Sequence, residues 1–218
     1  MLKEFRGHKS YVNSCSYVLL PPSLVGGVGG AGHGANARFL AVVTSSADGS
    51  VRLWDGRTTE PVRVIISATS AINERDGAVA SKSVHTVVPL HSPSNALVVV
   101  PRGDRAYLMS YSGAVLRTYE RDDVQGGEFL AAAVSASNRF LFVATDDGKC
   151  VVFNVATGKV EKTIRSFAEE CSIGSDTRND TNKPYCEVTG LVCHPQLGYI
   201  GGYSNDPGQK RGILTLWK

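Results

Sequence analysis

The stretch that decides the fold is DGSVRLWD at residues 48–55, an acidic turn followed by a short apolar strand. The stretch DGKCVVFN at residues 147–154 has the same shape, with the aspartate again six residues before the aromatic side chain. A third strand of this kind, GILTLW, lies at residues 212–217. A degenerate copy, RAYLMS, lies at residues 105–110 with Met109 in the aromatic position. These copies indicate a repeat protein built from β-strands and tight turns.

The spacing of the copies predicts a propeller. The aromatic positions are separated by 55, 44 and 64 residues, whereas a four-stranded propeller blade repeats every ~40–45 residues. The longer intervals predict insertions, which we place in polar segments at residues 67–83 and 165–186, with a third at 21–37. The prediction is an all-β chain with about four four-stranded blades in a single propeller region, 1–218. Its parts are an outer strand at 1–6, blades at 7–66, 84–119 and 128–164, and an incomplete blade at 187–218.

Composition excludes several classes of protein. Lys and Arg number 23 and Asp and Glu number 20, and the resulting net charge of +3 predicts neither nucleic-acid nor membrane binding. The N-terminal residues carry no apolar signal segment, and no apolar run is long enough to cross a membrane as a helix. The five cysteines contain no C-x-x-C pair, so we predict free thiols in a reducing compartment. They are Cys15, Cys150, Cys171, Cys186 and Cys193.

Patterns typical of catalytic or cofactor sites have simpler interpretations here. The stretch GVGGAG at residues 27–32 matches the dinucleotide-binding pattern, but a strand-like segment follows it where that pattern requires a helix. We interpret it as a glycine-rich loop. The acidic pairs at residues 122–123 and 146–147 are typical of turns, and the histidines lack metal-binding spacing. We therefore predict no enzyme, catalytic residue, metal, cofactor or small-molecule substrate.

Gly7-His8 followed by Trp54-Asp55 resembles the signature pair of WD40 repeats. This resemblance implies that His8, Thr44, Asp48 and Trp54 form the hydrogen-bonded tetrad that ties one blade together. A histidine can bridge a hydroxyl and a carboxylate through its two ring nitrogens, while the indole N–H supplies a further donor. The other blades lack this set, so we expect them to depend on packing. Their corresponding structural positions are Asp147, Phe153 and Trp217.

Three segments extend the resemblance to the Smu family of spliceosomal WD40 proteins. They are LKEFRGHKSYVN at residues 2–13, QGGEF at 125–129 before an alanine-rich strand, and LTLWK at 214–218. The resemblance implies a nuclear, non-enzymatic scaffold in pre-mRNA splicing, with the RED protein as a close partner. That family has a seven-bladed propeller preceded by a helical LisH-type region. We therefore predict that the present chain forms an arc of such a propeller, a small closed ring, or half of a head-to-tail dimeric ring.

Binding surfaces are expected on the loops. The connections at residues 67–83, 120–127 and 165–186 would share the face that WD40 propellers most often use for binding. The candidate partner-binding residues are Arg6, Tyr11, Arg102, Arg121, Phe129, Arg178 and Tyr185. Alternative functions are a WD40 scaffold of a ubiquitin ligase, chromatin or trafficking complex, or a propeller enzyme. The charge of +3 supports direct RNA contact only weakly.

Overall fold

The computed structural model describes residues 4–21, 24, 39–56, 59–66, 83–90, 95–121, 127–164, 187–206 and 211–218. Across these residues the chain folds into antiparallel strands, and no α-helix is present among them. In the same part of the chain there is no helix with the length and apolar character needed to cross a membrane. The all-β fold predicted from the sequence is confirmed.

The strands form four sheets, in each of which the strand order follows the chain. Sheets of this up-and-down type are the blades of propellers, and we refer to them as blades 1 to 4. Blades 1 and 2 comprise β1 (Val12–Leu20), β2 (Phe39–Ser46), β3 (Val51–Asp55), β4 (Pro61–Ile66), β5 (Val84–Pro89), β6 (Ala96–Pro101), β7 (Arg105–Ser110) and β8 (Val115–Glu120). Blades 3 and 4 comprise β9 (Phe129–Val134), β10 (Phe140–Thr145), β11 (Cys150–Asn154), β12 (Val160–Ile164), β13 (Glu187–Cys193), β14 (Ile200–Asp206) and β15 (Arg211–Trp217).

The strands of blades 1 to 4 fall within residues 12–66, 84–120, 129–164 and 187–217. Blade 4 has three strands among the described residues. The predicted outer strand at 1–6 is not seen in the part that the structure describes, since residues 4–6 belong to no strand. The predicted insertions at 21–37, 67–83 and 165–186 lie almost wholly outside the described residues.

The chain divides into two compact units. The first unit comprises Met1–Pro101 with Tyr107–Leu116. Its core forms because alternate side chains of a strand point to the same face of the sheet. Val43 and Leu53 of blade 1 and Leu97 and Met109 of blade 2 are each at most 1% exposed and belong to one cluster. The core of this unit therefore lies where one face of blade 1 packs on one face of blade 2.

The second unit comprises Arg102–Ala106 with Arg117–Lys218. Its core joins blades 3 and 4 and is rich in small side chains. Ala144 and Cys150 of blade 3 are buried in one cluster with Val188 and Leu191 of blade 4. The alanines of this cluster let the two sheets approach closely, and the partly buried Trp217 packs against its edge.

The cysteines that the structure describes are free. Cys150 is buried, and its burial together with the neighbouring Cys193 raises the pKa of its thiol to about 12. Burial raises the pKa of Cys193 to about 11. Both thiols are therefore protonated at neutral pH and are poor nucleophiles. Cys15 is exposed, and Cys171 and Cys186 lie outside the described residues.

Candidate functional site

The structure brings together the four residues of the expected tetrad in blade 1. His8 Nε2 lies 2.7 Å from Thr44 Oγ1, and His8 Nδ1 lies 3.1 Å from Asp48 Oδ2. The indole N–H of Trp54 donates to Thr44 Oγ1 over 2.8 Å. Every contact is satisfied when Thr44 donates to His8 Nε2 and the Nδ1–H of His8 donates to Asp48. One chain of hydrogen bonds then runs from β3 through β2 to the segment before β1.

Asp48 accepts hydrogen bonds from two further residues in addition to His8. The backbone N–H of Lys9 donates to Oδ2 over 2.8 Å. The backbone N–H and the hydroxyl of Ser50 donate to Oδ1 over 2.9 and 2.6 Å. Burial by itself would raise the pKa of this carboxyl, but the hydrogen bonds from Ser50, Lys9 and His8 hold the pKa well below its usual range. The ionised carboxylate therefore clamps the β2–β3 turn to the segment that precedes β1.

This lowered pKa predicts an acid-sensitive contribution to stability. A carboxyl whose pKa is lower in the folded state stabilises the fold above its unfolded pKa of about 3.9, and the contribution is lost as the pH falls towards the folded pKa. We expect Asp48→Asn to lower the free energy of unfolding by about 2 kcal/mol at neutral pH and by progressively less below about pH 4.

Urea unfolding at a series of pH values measures this effect. The matched control is Asp104→Asn, which changes an exposed aspartate. The control is expected to follow the wild-type pH profile. A difference between Asp48→Asn and the wild type that stays constant down to about pH 2 would contradict the assigned role of the carboxylate.

The segment before β1 also covers the tetrad. The ring centroid of Phe5 lies 5.4 Å from that of Trp54, and the ring of His8 meets the same indole edge-on at 5.9 Å. Gly7 runs so close that an added Cβ would lie 3.2 Å from Trp54 Cη2 and 2.5 Å from Arg52 Nη1. A side chain at position 7 would therefore displace the Arg52 guanidinium and press against the indole, which is only 1% exposed.

Blade 3 uses a different set of contacts at the corresponding turn. Asp147 accepts hydrogen bonds from the hydroxyl of Thr145 and from Lys149 Nζ, the latter over 2.5 Å. Burial would raise the pKa of Asp147, but these hydrogen bonds and the charges of Lys149 and Arg121 lower it. Thr145 and Lys149 are not among the structural positions predicted from the sequence. The available signal was a hydroxyl two residues before the aspartate and a cation two residues after it.

An aromatic cluster occupies the position of the indole in blade 3. Phe153 is fully buried, with the rings of Tyr119 and Phe129 edge-on to it at 5.6 and 6.0 Å. The hydroxyl of Tyr119 donates to the carbonyl of Val155 over 3.0 Å. Burial raises the pKa of Tyr119 to about 12 although the charge of Arg117 opposes the shift, so the phenol stays protonated. Packing of aromatic rings thus replaces the hydrogen-bonded indole.

In blade 1 the residues before β1 lie at the same end as the β2–β3 turn. The backbone N–H of Ala47 donates to the carbonyl of Tyr11 over 2.9 Å, in addition to the contact between Lys9 and Asp48. Blade 3 repeats the arrangement, because the N–H of Asp146 donates to the carbonyl of Glu128 over 3.0 Å. We refer to this end of each blade as its tetrad end.

The candidate partner-binding residues differ in accessibility. Tyr11 is 84% exposed. Arg6 is exposed and forms an ion pair with Glu4 over 2.9 Å. Arg102 is also exposed and forms an ion pair with Glu128 over 3.0 Å. Such surface ion pairs are weak and exchange readily for contacts with a partner. Arg178 and Tyr185 lie outside the described residues.

The two remaining candidates serve the interior of the second unit. Phe129 is fully buried against Phe153, so its side chain offers no surface to a partner. Arg121 is half-buried, donates to the carbonyl of Gly127 over 2.7 Å and stacks its guanidinium 5.5 Å from the centre of the Phe129 ring. These contacts join Arg121, which follows β8, to Gly127 and Phe129 at the start of β9.

No cluster of three or more His, Cys, Asp or Glu side chains suited to a metal occurs in the part of the chain that the structure describes. The residues at the tetrad ends are engaged with one another, as donors and acceptors that hold turns. This arrangement can hold loops and exposed side chains in fixed positions, where a partner could bind them.

The four sheets have the fold of the blades of WD40-type β-propellers. Residues 1–55 match the family model described as WD domain, G-beta repeat. Among curated proteins the chain is similar to the WD40 repeat-containing protein smu1 of Dictyostelium discoideum, with 22% identity over 168 residues. That match covers 77% of this chain and 27% of the smu1 protein.

Solved structures with this fold include the WD40 β-propeller domain of Doa1, with a TM-score of 0.60 and 12% identity over 98% of this chain. The WD40 repeats of RRP9 match with a TM-score of 0.58 and 13% identity over 96% of this chain. At these identities the likeness concerns the fold. The chain spans 53% and 52% of those two chains, about half of each.

Proposed function

We propose that the chain acts as a non-enzymatic protein-interaction scaffold in pre-mRNA splicing, in the nucleus, as the Smu family does. The observation that carries this proposal is the similarity to smu1 over 77% of the chain. The segments at 2–13, 125–129 and 214–218, which resemble the Smu family, support it further. The partner that the resemblance suggests is a RED-like protein, with other spliceosomal proteins around it.

The proposed mechanism is display of anchor side chains at the tetrad ends. Arginine and tyrosine dominate the energetics of many protein interfaces, because they combine a large contact area with polar groups. Arg6 and Tyr11 flank the tetrad of blade 1, which holds their segment to the β2–β3 turn. Arg102 offers a comparable side chain on the β6–β7 turn. A partner that binds at the tetrad end of blade 1 meets side chains on a backbone that is already ordered, which lowers the entropic cost of binding.

Affinity purification from nuclear extract, followed by quantitative mass spectrometry, tests the proposal. The tagged 218-residue chain is expected to recover a RED-like protein together with small nuclear ribonucleoprotein components. The double variant Arg6→Ala/Tyr11→Ala is expected to lower their recovery by about tenfold, the effect of losing one hot-spot side chain.

The matched control is Lys159→Ala/Lys162→Ala, which removes two exposed side chains from β12 and the turn before it. This control is expected to keep the wild-type recovery. Recovery of ubiquitin-ligase, chromatin or coat subunits in place of splicing proteins would contradict the splicing role. An equal loss in both double variants would contradict the assignment of the binding surface to the tetrad end.

A further inference from the structure

Blades 3 and 4 leave an open groove between them at the end opposite their tetrad ends. The groove has a volume of about 370 Å³ and lies between the β9–β10 turn and the β13–β14 turn. Its apolar lining is formed by Phe140, Phe142, Leu197, Tyr199 and Ile200. All of these residues belong to the second compact unit. The groove is therefore a feature of this one unit, at the boundary between two neighbouring blades.

The side chains along β10 explain why the groove forms at this end. Ala144 is fully buried in the cluster that joins the two blades. Phe140 and Phe142 lie on the same face of the strand as Ala144, because alternate residues of a strand point to the same side. Both phenylalanines are only partly buried. Small side chains thus let the two sheets meet near the tetrad end, whereas the phenylalanines line a gap at the other end.

Hydrogen bonds fix both walls of the groove. On the blade 3 side, Ser135 Oγ accepts the backbone N–H of Arg139 over 3.1 Å. On the blade 4 side, His194 Nδ1 accepts the backbone N–H groups of Gln196 and Leu197 over 3.1 and 2.9 Å. Both turns are therefore ordered before a partner binds, which lowers the entropic cost of binding.

The polar groups at the groove favour a ligand that supplies hydrogen-bond acceptors. Because Nδ1 of His194 accepts, the neutral ring carries its proton on Nε2, which is then a donor. Arg139 is exposed at the rim, with its guanidinium 5.0 Å from the centre of the Phe140 ring. No aspartate or glutamate is among the described residues that line the groove. The complementary ligand group is a carboxylate.

A second cation lies at the rim on the blade 4 side. Lys218 Nζ is 5.7 Å from the centre of the Tyr199 ring, which lines the groove. Each wall thus carries a positive charge beside an aromatic ring, with the apolar lining between them. A small acid meets one wall only. An apolar side chain flanked by carboxylates on both sides meets the lining and both walls, and a short acidic peptide segment has this pattern.

We propose that the groove binds a short acidic segment of a partner protein, with a leucine or phenylalanine side chain against Phe140 and Phe142 and carboxylates beside Arg139 and Lys218. Burial of the apolar side chain supplies most of the affinity, because exposed ion pairs contribute little. The charges select the partner, since electrostatic complementarity mainly controls specificity and the rate of association. This surface shares no residue with the one proposed for the splicing partner, so each is testable without the other.

Fluorescence anisotropy of labelled synthetic peptides, titrated with the purified 218-residue chain, tests this proposal. The probes carry a leucine or a phenylalanine flanked on both sides by aspartates. Matched probes carry lysines in place of the aspartates, or alanine in place of the apolar residue. The acidic apolar probes are expected to bind about tenfold more tightly than either matched probe, and their affinity is expected to fall as the salt concentration rises.

Two substitutions locate the binding site. Arg139→Glu and Leu197→Asp are each expected to weaken binding of the acidic apolar probes by about tenfold or more, since they place a negative charge at the groove. Lys162→Glu is the control for the first, with the same charge change at an exposed position of β12. Leu116→Asp is the control for the second, because Leu116 is 54% exposed on β8 and Leu197 is 55% exposed. Both controls are expected to keep the wild-type affinity.

Three results would overturn the proposal. They are failure of every acidic apolar probe to bind, equal binding of the lysine probes, and wild-type affinity in Arg139→Glu. Displacement of the probe by free N-acetylaspartate at the probe's own concentration would also overturn it and would assign the groove to small acids. Circular dichroism verifies that the variants are folded, and Arg139→Gln provides a milder second variant that is expected to weaken binding less than Arg139→Glu.

Discussion

Replacing Trp54 by alanine is expected to lower the free energy of unfolding by about 3–5 kcal/mol, the cost of deleting a large buried aromatic side chain. Trp54 is 1% exposed and packs against both Phe5 and His8. The substitution removes the hydrogen bond that the indole N–H donates to Thr44. It also leaves a cavity between β3 and the segment before β1. Urea unfolding monitored by circular dichroism measures the loss.

The variant Trp54→Phe is the matched control. It keeps most of the ring and loses the indole N–H, so a smaller loss of about 1–2 kcal/mol is expected. The difference between the two variants separates packing from hydrogen bonding. A loss of less than about 1 kcal/mol for Trp54→Ala would contradict the structural role of the tetrad.

The second large effect is expected in blade 3. Phe153→Ala should cost about 3–5 kcal/mol of the free energy of unfolding, because Phe153 is fully buried between Tyr119 and Phe129. Amide hydrogen exchange measures the effect locally. Protection of β9, β10 and β11 is expected to fall more than protection of β1 to β3, which belong to the other unit.

Phe153→Leu is the control for this substitution. Leucine retains much of the buried volume, so its cost is expected to be smaller than that of alanine. Unchanged protection of β9 to β11 in Phe153→Ala would contradict the view that aromatic packing replaces the hydrogen-bonded indole in blade 3.

The tetrad shows how much of the site the sequence could predict. A fixed spacing between an acidic turn and an aromatic residue identifies the third strand of a blade, and a Gly-His pair upstream supplies the partner of the aspartate. The resemblance to WD40 repeats predicts all four residues of the tetrad, and in the structure they form one chain of hydrogen bonds within blade 1. The distances from His8 to Thr44 and to Asp48 depend on the pairing of β1 with β2, which spacing alone does not reveal.

For the candidate binding residues, the sequence did not distinguish buried side chains from exposed ones. Phe129 and Tyr11 are both aromatic residues next to loops, yet Phe129 is fully buried and Tyr11 is 84% exposed. The difference arises because Phe129 begins β9 with its ring towards Phe153, whereas the side chain of Tyr11, just before β1, extends into solvent. The face to which a strand's first side chain points is decided by packing between elements distant in sequence.

The segment before β1 is a second such case. The pattern at residues 1–6 predicts an outer strand, but residues 4–6 form none. Phe5 instead packs on Trp54, and the guanidinium of Arg6 donates a hydrogen bond to the carboxylate of Glu4. Contact with a buried indole is a tertiary interaction that strand propensity does not include.

Cross-linking of the complexes captured from nuclear extract tests the central claim most directly, because it identifies both the partner and the surface it occupies. Lys9 lies at the tetrad end of blade 1, and Lys159 lies on the β11–β12 turn, at the other end of blade 3 from its tetrad turn. We expect lysine cross-links from Lys9 to a RED-like or other splicing protein, and none from Lys159. Cross-links from Lys159 alone, or from Lys9 only to proteins outside splicing, would contradict it.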